Sequence, residues 1–387
     1  MAWPLAPSAA GVSHLYAGRT GDHVSWPSQI RLGRRPVTGY ASAMSRRETT
    51  KDLDEGTAGT CFWPPDDRPP TAPLPRADRR PLIDPQAWLA AQANAAADLA
   101  RAAMAVGRLD EAAAAMGQGA PDRLALLEVE AMLWAAGTPI RREQIGRDLA
   151  RAPTGADLHA HRQARWALRR LGGQGALHDL RDFLGLHRTG QPGLAETLAP
   201  RPMGVAFDNA AAGFGETMDR IAEAHPFTRG AFACQVWRLA DLSPDNDLLE
   251  AATWSARAMA ADCGTLHFVG LGAFGRKIWH GGAPVADRLH DHYRAIADAA
   301  TAARATLRRL ADWETAARAA SARIKGDTPA RVIAALLARP LSTTEDVATA
   351  AAVSRDTAER MLARLTALGI AREVTATRRF RLWAAGA

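Results

Sequence analysis

The chain has 387 residues, 47% of them hydrophobic, so it is long enough for two or three domains with substantial cores, and its formal charge of +7 suits an anionic partner. Alanine dominates the apolar fraction and aromatic residues make up only 6%, which favours an all-α body. The three cysteines are widely spaced and include no CxxC pair, which argues against a disulfide framework and a structural zinc site. No apolar run approaches the roughly 18 residues of a membrane span, which argues against a membrane protein. We therefore expect a cytoplasmic location.

Residues 1–82 form a first segment in which proline, glycine, serine and arginine recur without apolar periodicity. Such a composition cannot bury enough apolar surface to offset the entropy cost of ordering the chain, so we predict a disordered tail. Met44 offers an alternative start of translation, in which case the residues before it would not belong to the protein.

Residues 83–324 show apolar residues at the three- and four-residue spacing of amphipathic helices, which predicts an all-helical body, a helical bundle. Trp88 and Val106 mark the first helix, and Leu124 and Trp134 mark the second. The predicted helices span residues 85–116, 122–136, 142–150, 157–171, 175–184, 208–224, 230–241 and 247–262, and a glycine-rich loop follows over residues 264–284.

Two His-x-His pairs, His159 with His161 and His290 with His292, raise the question of a metal site. Residues two positions apart on a helix point in different directions, and no third ligand is evident for either pair, so neither is a good chelate. We predict exposed polar helix faces at both pairs, and neither a metal nor a cofactor.

The segment His225-Pro226-Phe227-Thr228-Arg229-Gly230 lies between two predicted helices. It resembles the start of the active-site motif of the Fic family, HPFxxGNGR with an acidic residue before the first glycine. The resemblance implies a general base at His225 and transfer of a nucleotide phosphate group, usually AMP from ATP, to a protein hydroxyl.

Four positions depart from the Fic motif. The acidic magnesium ligand is replaced by Arg229, the asparagine by Ala231, the second glycine by Phe232 and the arginine by Ala233. Without a metal ligand and a phosphate-binding arginine, charge that develops on the phosphates has no stabiliser. Two interpretations stand beside an active transferase: a non-catalytic relative of the family, or a histidine that merely begins a helix as a capping or surface residue.

Gly270-Leu271-Gly272-Ala273-Phe274-Gly275 matches the GxGxxG pattern of dinucleotide-binding loops. The following residues run into Gly281-Gly282-Ala283-Pro284, which leaves no long helix whose N-terminus could face a pyrophosphate. We therefore predict a loop that binds no nucleotide.

A long helix is predicted over residues 285–324, with an apolar stripe whose steps alternate between four and three residues, as in a coiled coil. The stripe fits packing within its own bundle, which its small alanines favour, or a homodimer through this helix. Its members are Leu289, Tyr293, Ile296, Ala300, Ala303, Leu307 and Leu310.

Residues 327–387 read as three short helices followed by two strand-like runs. Ser342 or Thr343 suits the N-cap of the second helix, Ser354 suits that of the third, and Gly369 ends the third. The first helix is predicted over residues 329–339, the third over 355–368, and the runs of a β-wing over 370–375 and 378–383.

The stretch Val347–Arg355 resembles the helix-turn-helix families of bacterial regulators, with Ala352 where the turn usually has a glycine. The resemblance implies a winged helix-turn-helix in which Val353 and Leu362 fill the space between the helices. It also implies double-stranded DNA as the partner.

Charge supports the same function, since seven arginines and only three acidic residues lie between positions 355 and 381. Arginine on a recognition helix can reach guanine edges, and arginine on a wing can reach phosphates or the minor groove. The predicted DNA-binding residues are Ser354, Arg355, Thr357, Arg360, Arg364, Arg378, Arg379 and Arg381.

These patterns together predict a bacterial DNA-binding transcriptional regulator, in which an all-α body carries a C-terminal winged helix-turn-helix. Two contrasting functions remain. One is a Fic-like nucleotide transferase, and the other is a protein-interaction module of a mobile element or toxin system.

Overall fold

A computed structural model describes residues 83–117, 119–151, 157–186, 201–244, 247–280, 283–375 and 381–386. The predicted tail, residues 1–82, and the tip of the predicted wing, residues 376–380, lie outside the described residues. The described part of the chain is mostly helical, as its composition predicts, with one small sheet near the C-terminus. Among the described helices, none combines the length and the apolar character that crossing a membrane requires.

The body is a set of packed helices, which we number along the described chain. They are α1 (Pro85–Asn94), α2 (Ala96–Met116), α3 (Gly119–Ala135), α4 (Arg142–Leu149), α5 (Leu158–Leu171), α6 (Leu180–Leu184), α7 (Val205–Asp219), α8 (Pro226–Leu239), α9 (Leu249–Ala258), α10 (Gly275–His280) and α11 (Val285–Ser321).

The sequence prediction places helix ends of the body wrongly. The helix α7 ends at Asp219 and α8 begins at Pro226, so the segment predicted to lie between two helices is the start of α8.

The prediction differs most from the structure at three places in the body. The helix predicted over residues 85–116 is two helices, because Ala95 leaves helical geometry with φ −100° and ψ 21°. The helix predicted from Gly175 begins only at Leu180, because Gly175 has a φ of +83°. The loop predicted over residues 264–284 contains the helix α10.

The apolar stripe of α11 is buried, and α11 packs along α2 of the same chain. Leu289, Tyr293 and Ile296 have no exposed surface. The stripe therefore serves the core of its own chain, which is one of the two alternatives that the sequence leaves open. The predicted homodimer gains no support from this stripe, because six of its seven members are buried in their own chain and Ala303 is half-buried.

The C-terminal module, residues 328–386, contains three helices and the small sheet. All pairings in the sheet are antiparallel, in the order β1-β3-β2, with Trp383 opposite both Ser342 and Glu373. The third strand lies further along the chain than the predicted run. The elements are α12 (Thr328–Ala338), β1 (Ser342–Thr343), α13 (Thr344–Ala350), α14 (Arg355–Ala367), β2 (Ala371–Glu373) and β3 (Leu382–Ala385).

Capping explains where two helices of the C-terminal module begin. Thr343 and Asp346 form a reciprocal capping box at α13, and the Ser354 side chain accepts the Thr357 amide at α14. Both predicted N-caps are thus confirmed, since Thr343 was one of the two candidates for α13.

The long helix α11 belongs to two hydrophobic cores. Its first part, as far as Leu307, packs in the core of the body, whereas Leu310 and Trp313 pack in the core of the C-terminal module. The Trp313 indole also donates a hydrogen bond to the Ile370 carbonyl at 2.9 Å. The body and the C-terminal module belong to one compact unit, and α11 contributes to the cores of both.

We expect Ala352→Gly to stabilise the protein. Ala352 has a left-handed φ of +50°, a region that costs a residue with a Cβ about 1–2 kcal/mol. Glycine removes that cost but gains freedom in the unfolded chain, so the free energy of unfolding should rise by roughly 0.5–1 kcal/mol in urea titrations. Ala316→Gly, at an exposed site inside α11, should instead lower it by about 1 kcal/mol. Equal losses in both variants would contradict the explanation.

Candidate functional site

The helix α14 has one buried face and one charged, exposed face. Ala358, Leu362 and Leu365 have no exposed surface and anchor the helix in the core of the C-terminal module. Arg360 and Arg364 are exposed on the opposite side. Their positions follow from the sequence spacing, because residues three and four apart share a helix face.

The arginines of α14 lack acidic partners. Within the described residues, no ion pair involves Arg355, Arg360 or Arg364. Arg360 lies along the first turn of its own helix, where it donates to the Asp356 carbonyl at 3.3 Å and to the Thr357 hydroxyl at 3.4 Å. These long contacts leave its guanidinium available to a stronger acceptor.

Ser354 and Thr357 bind each other at the start of α14. The Ser354 hydroxyl accepts the Thr357 amide at 3.2 Å and donates to the Thr357 hydroxyl at 2.8 Å. Ser354 is exposed, whereas Thr357 is half-buried. Both residues are predicted to contact phosphate, and their mutual hydrogen bonds also hold the first turn of α14 in place.

Arg381 lies beside α14 and pairs with two carboxylates. Its guanidinium is 3.3 Å from Glu359 on α14 and 3.8 Å from Glu373 on β2. These ion pairs connect the sheet to α14, and DNA would have to compete with them for this side chain. Arg378 and Arg379, the other predicted wing residues, lie outside the described residues.

Arg331 on α12 is a basic residue near the turn that sequence reasoning missed. It pairs with Asp327 at 3.2 Å and donates a long bond of 3.4 Å to the Ala352 carbonyl. Only the folded arrangement brings it to the turn, since 21 positions separate the two residues in the chain.

His225 caps a helix. Its Nδ1 accepts the Phe227 amide at 3.2 Å at the first turn of α8, and its own amide donates to Gln92 at 3.0 Å. Burial lowers the pKa of the His225 imidazole, and the charge of Asp262 raises it in part. This geometry matches the capping interpretation.

The positions that depart from the Fic motif lie mainly in the core. Ala231 is 4% exposed and Ala233 is 1% exposed, so both are packed inside the body. A Cβ on Gly230 would overlap the side chains of Met259 and Ser255. The part of α8 that corresponds to the second half of the Fic motif therefore packs in the core of the body.

The histidine pairs differ from the prediction. His161 and His292 are buried, whereas His159 and His290 are exposed, so the predicted exposed faces are wrong for one member of each pair. The reason is that residues two apart lie on different sides of a helix. His290 binds Asp98 at 2.7 Å. Within the described residues, no group of three or more His, Cys, Asp or Glu side chains could hold a metal ion.

The GxGxxG segment, residues 270–275, surrounds a carboxylate of the protein itself. Glu128 is buried on α3, and its two oxygens accept the amides of Leu271 at 2.9 Å and Gly272 at 2.8 Å. A Cβ on Gly270 would lie 2.3 Å from Glu128, so glycine permits this close approach. Backbone amides of a glycine-rich turn favour anions, and here they bind an internal one.

A cavity of about 670 Å³ lies next to this carboxylate, between α3, the segment after α9 and α11. Most of its lining is apolar, and Trp134 and Phe274 are exposed large apolar residues in it. Its charged lining residues are Glu128, Glu130 and Arg276.

Comparison with known proteins gives no relative: no protein-family model and no curated protein matches this chain.

Proposed function

We propose that the chain is a DNA-binding transcriptional regulator, bacterial and cytoplasmic, whose C-terminal module is a winged helix-turn-helix. The observation that carries the proposal is the exposed face of α14, whose arginines form no ion pair with the described residues, on a helix anchored by a buried apolar face. In this interpretation α14 is the recognition helix and enters the major groove.

The order of elements supports the proposal. A three-helix unit followed by an antiparallel hairpin is the arrangement that the sequence resemblance implies, and the left-handed Ala352 forms the turn between α13 and α14. Arg360 and Arg364 would face base edges, and Arg355 would lie at the start of the helix, where phosphates are often bound.

Selection of bound duplexes from a random pool tests the proposal. The full chain is incubated with the pool at low and at moderate salt, and bound DNA is sequenced. We expect a short enriched sequence at both concentrations, with affinity that falls as salt rises because cations are released from the phosphates. If the chain binds no DNA even at low salt, the regulator proposal fails and the interaction-module alternative takes its place.

We expect Arg360→Ala to weaken binding of the selected duplex by about 1–3 kcal/mol and to relax the preference at one base pair. A wing substitution such as Arg379→Ala should weaken all sequences alike and lower the salt slope by about one. Both effects are measured by fluorescence anisotropy on matched and mismatched duplexes. Arg162→Ala, at an exposed position of α5 in the body, is the control and should change neither affinity nor preference.

The Fic-like alternative predicts a different outcome at His225. If the imidazole acts as a helix cap, His225→Ala should lower the free energy of unfolding by about 1 kcal/mol, and His225→Asn should retain most of it because asparagine caps well. We also expect no transfer of labelled AMP from ATP with magnesium. Labelling that disappears in both variants would instead establish a catalytic histidine.

A further inference from the structure

The cavity beside Glu128 has the size and lining of a small-molecule site. A volume of about 670 Å³ lies within the range of pockets that enclose organic ligands, and such pockets are mostly apolar with a few polar groups that orient the ligand. The exposed rings of Trp134 and Phe274 offer flat apolar surface to an aromatic or aliphatic skeleton.

The charges of the cavity indicate which ligand would fit. Glu128 is 5% exposed and accepts two backbone amides, but within the described residues it has no cationic partner. A second carboxylate, Glu130, lines the same cavity, and Arg276, the cation that the described part of the chain contributes to the lining, is exposed. Burial raises the pKa of Glu128, and the hydrogen bonds from Leu271 and Gly272 lower it in part. Buried charges are usually paired, so a cationic ligand would favour the ionised carboxylate by supplying its partner.

We propose that this cavity binds an apolar organic cation, an amine on an aromatic or aliphatic skeleton, and that its occupation alters the DNA affinity of the C-terminal module. The ammonium group binds at Glu128 and the skeleton packs against the apolar lining. The second half of the proposal rests on the proposed function.

Two helices connect the cavity with the C-terminal module. On α11, Thr306 lines the cavity, and Leu310, one turn later, packs in the core of the module. On α3, Leu124 lines the cavity, and the adjacent Arg123 donates to main-chain carbonyls at the end of α12. A ligand that moves either helix therefore acts directly on the elements that support α14.

Three probes with one skeleton test the chemistry of the site. They are 4-phenylbutylamine, 4-phenylbutanol and 4-phenylbutyrate, which differ in the terminal group, and binding to the full chain is measured by calorimetry at pH 7. We expect the amine to bind at least about tenfold more tightly than the alcohol, and the acid most weakly, because a hydrogen bond to a charged group is stronger than one to a neutral group. Equal affinities for amine and alcohol, or no binding of any probe, overturn the proposal.

Two variants locate the binding. Glu128→Gln keeps the size of the side chain and removes its charge, so the preference for the amine over the alcohol should disappear. Ala131→Phe places a ring in the cavity and should weaken the amine and the alcohol together, by tenfold or more, in a chain that circular dichroism shows to be folded. If Glu128→Gln does not fold, the proposed site is tested by the order of the three probe affinities and by Ala131→Phe. Amine binding that is unchanged in Ala131→Phe places the ligand elsewhere and overturns the proposal.

The regulatory half is tested with the selected duplex. Saturating 4-phenylbutylamine should change the DNA affinity of the wild-type chain several-fold and leave that of Ala131→Phe unchanged. If the wild-type affinity also stays the same, the regulatory half is overturned. If the chain binds no DNA at all, the proposed function fails instead. Calorimetry then still tests whether the cavity binds the amine.

Discussion

Replacing His292 with leucine will make the stability of the protein much less sensitive to acid. His292 is 1% exposed on α11, and burial lowers the pKa of its imidazole from 6.5 to about 4, with a partial rise from the main chain of Phe227. The folded protein therefore keeps this side chain neutral at a pH where the unfolded chain has already bound a proton. Leucine cannot be protonated, so this source of acid destabilisation is removed.

The sign of the effect follows from proton binding. Above pH 6.5 neither state carries a proton on His292, and its contribution to stability is fully present. As the pH falls from 6.5 towards 4, the unfolded state binds the proton first and stability is lost. Between pH 7 and pH 4 the loss from this residue should amount to about 3 kcal/mol.

Urea titrations at pH 7 and pH 4 measure this difference. The quantity of interest is the change in unfolding free energy between the two pH values, which should be smaller in His292→Leu than in the wild type. His290→Gln provides the matched control, since His290 lies on the same helix with an exposed side chain bound to Asp98. If His292→Leu and the wild type lose stability in parallel, the buried imidazole is not the group responsible.

Burial of His292 could have been predicted from the sequence. It lies three residues after Leu289 and four before Ile296, which places it on the buried side of α11. Treating it as one half of a His-x-His pair predicts exposure instead, and this prediction is wrong because residues two apart in the sequence lie on different sides of a helix. Periodicity over the whole helix was the better guide.

Local signals predicted much of the C-terminal module. The caps Thr343 and Ser354 and the apolar spacing of α14 involve side chains that act within one or two turns, so they can be recognised in the sequence alone. The strands were located less accurately. The β3 strand pairs with both β1 and β2, and its position depends on partners that precede it in the chain.

Glu128 shows why part of the candidate site could not be predicted. Its partners Leu271 and Gly272 are more than 140 positions away in the sequence. Neither the glutamate in its apolar helix nor the glycine-rich loop has a sequence feature that indicates their contact. The glycine pattern predicts only a loop that binds no nucleotide, and the fold shows that the backbone of this loop closely approaches a carboxylate of the same chain.

Replacing Arg123 with methionine will loosen the C-terminal module from the body. One guanidinium nitrogen of Arg123 lies within 3.0 Å of the Leu336 carbonyl, 3.2 Å of Leu337 and 3.0 Å of Arg339, at the end of α12. Burial lowers the pKa of Arg123 to about 10, so the side chain remains charged at neutral pH. A cation at a helix C-terminus also interacts favourably with the helix dipole.

Methionine has a similar length but cannot donate, so the part-buried Leu336 and Leu337 carbonyls and the exposed Arg339 carbonyl lose a charged donor. Each such loss costs about 1–3 kcal/mol, and the losses are not additive, so we expect roughly 3 kcal/mol in total. Hydrogen exchange followed by mass spectrometry should show faster exchange throughout α12, α13 and α14. Arg101→Met is the control, because Arg101 is exposed on α2 and its pair with Asp98 contributes little.

The Arg123 result also distinguishes two of the connections between body and C-terminal module. Arg123 belongs to α3, whereas Trp313 and Leu310 belong to α11, which continues into the core of the module. If Arg123→Met speeds exchange in the module and leaves the body unchanged, α3 contributes to holding the module. If exchange in α12 stays at the wild-type rate, Arg123 does not hold the module, and α11 and the bond from Arg147 to the Thr375 carbonyl remain as connections. A signal from the cavity to α14 would then pass along α11 rather than through Arg123.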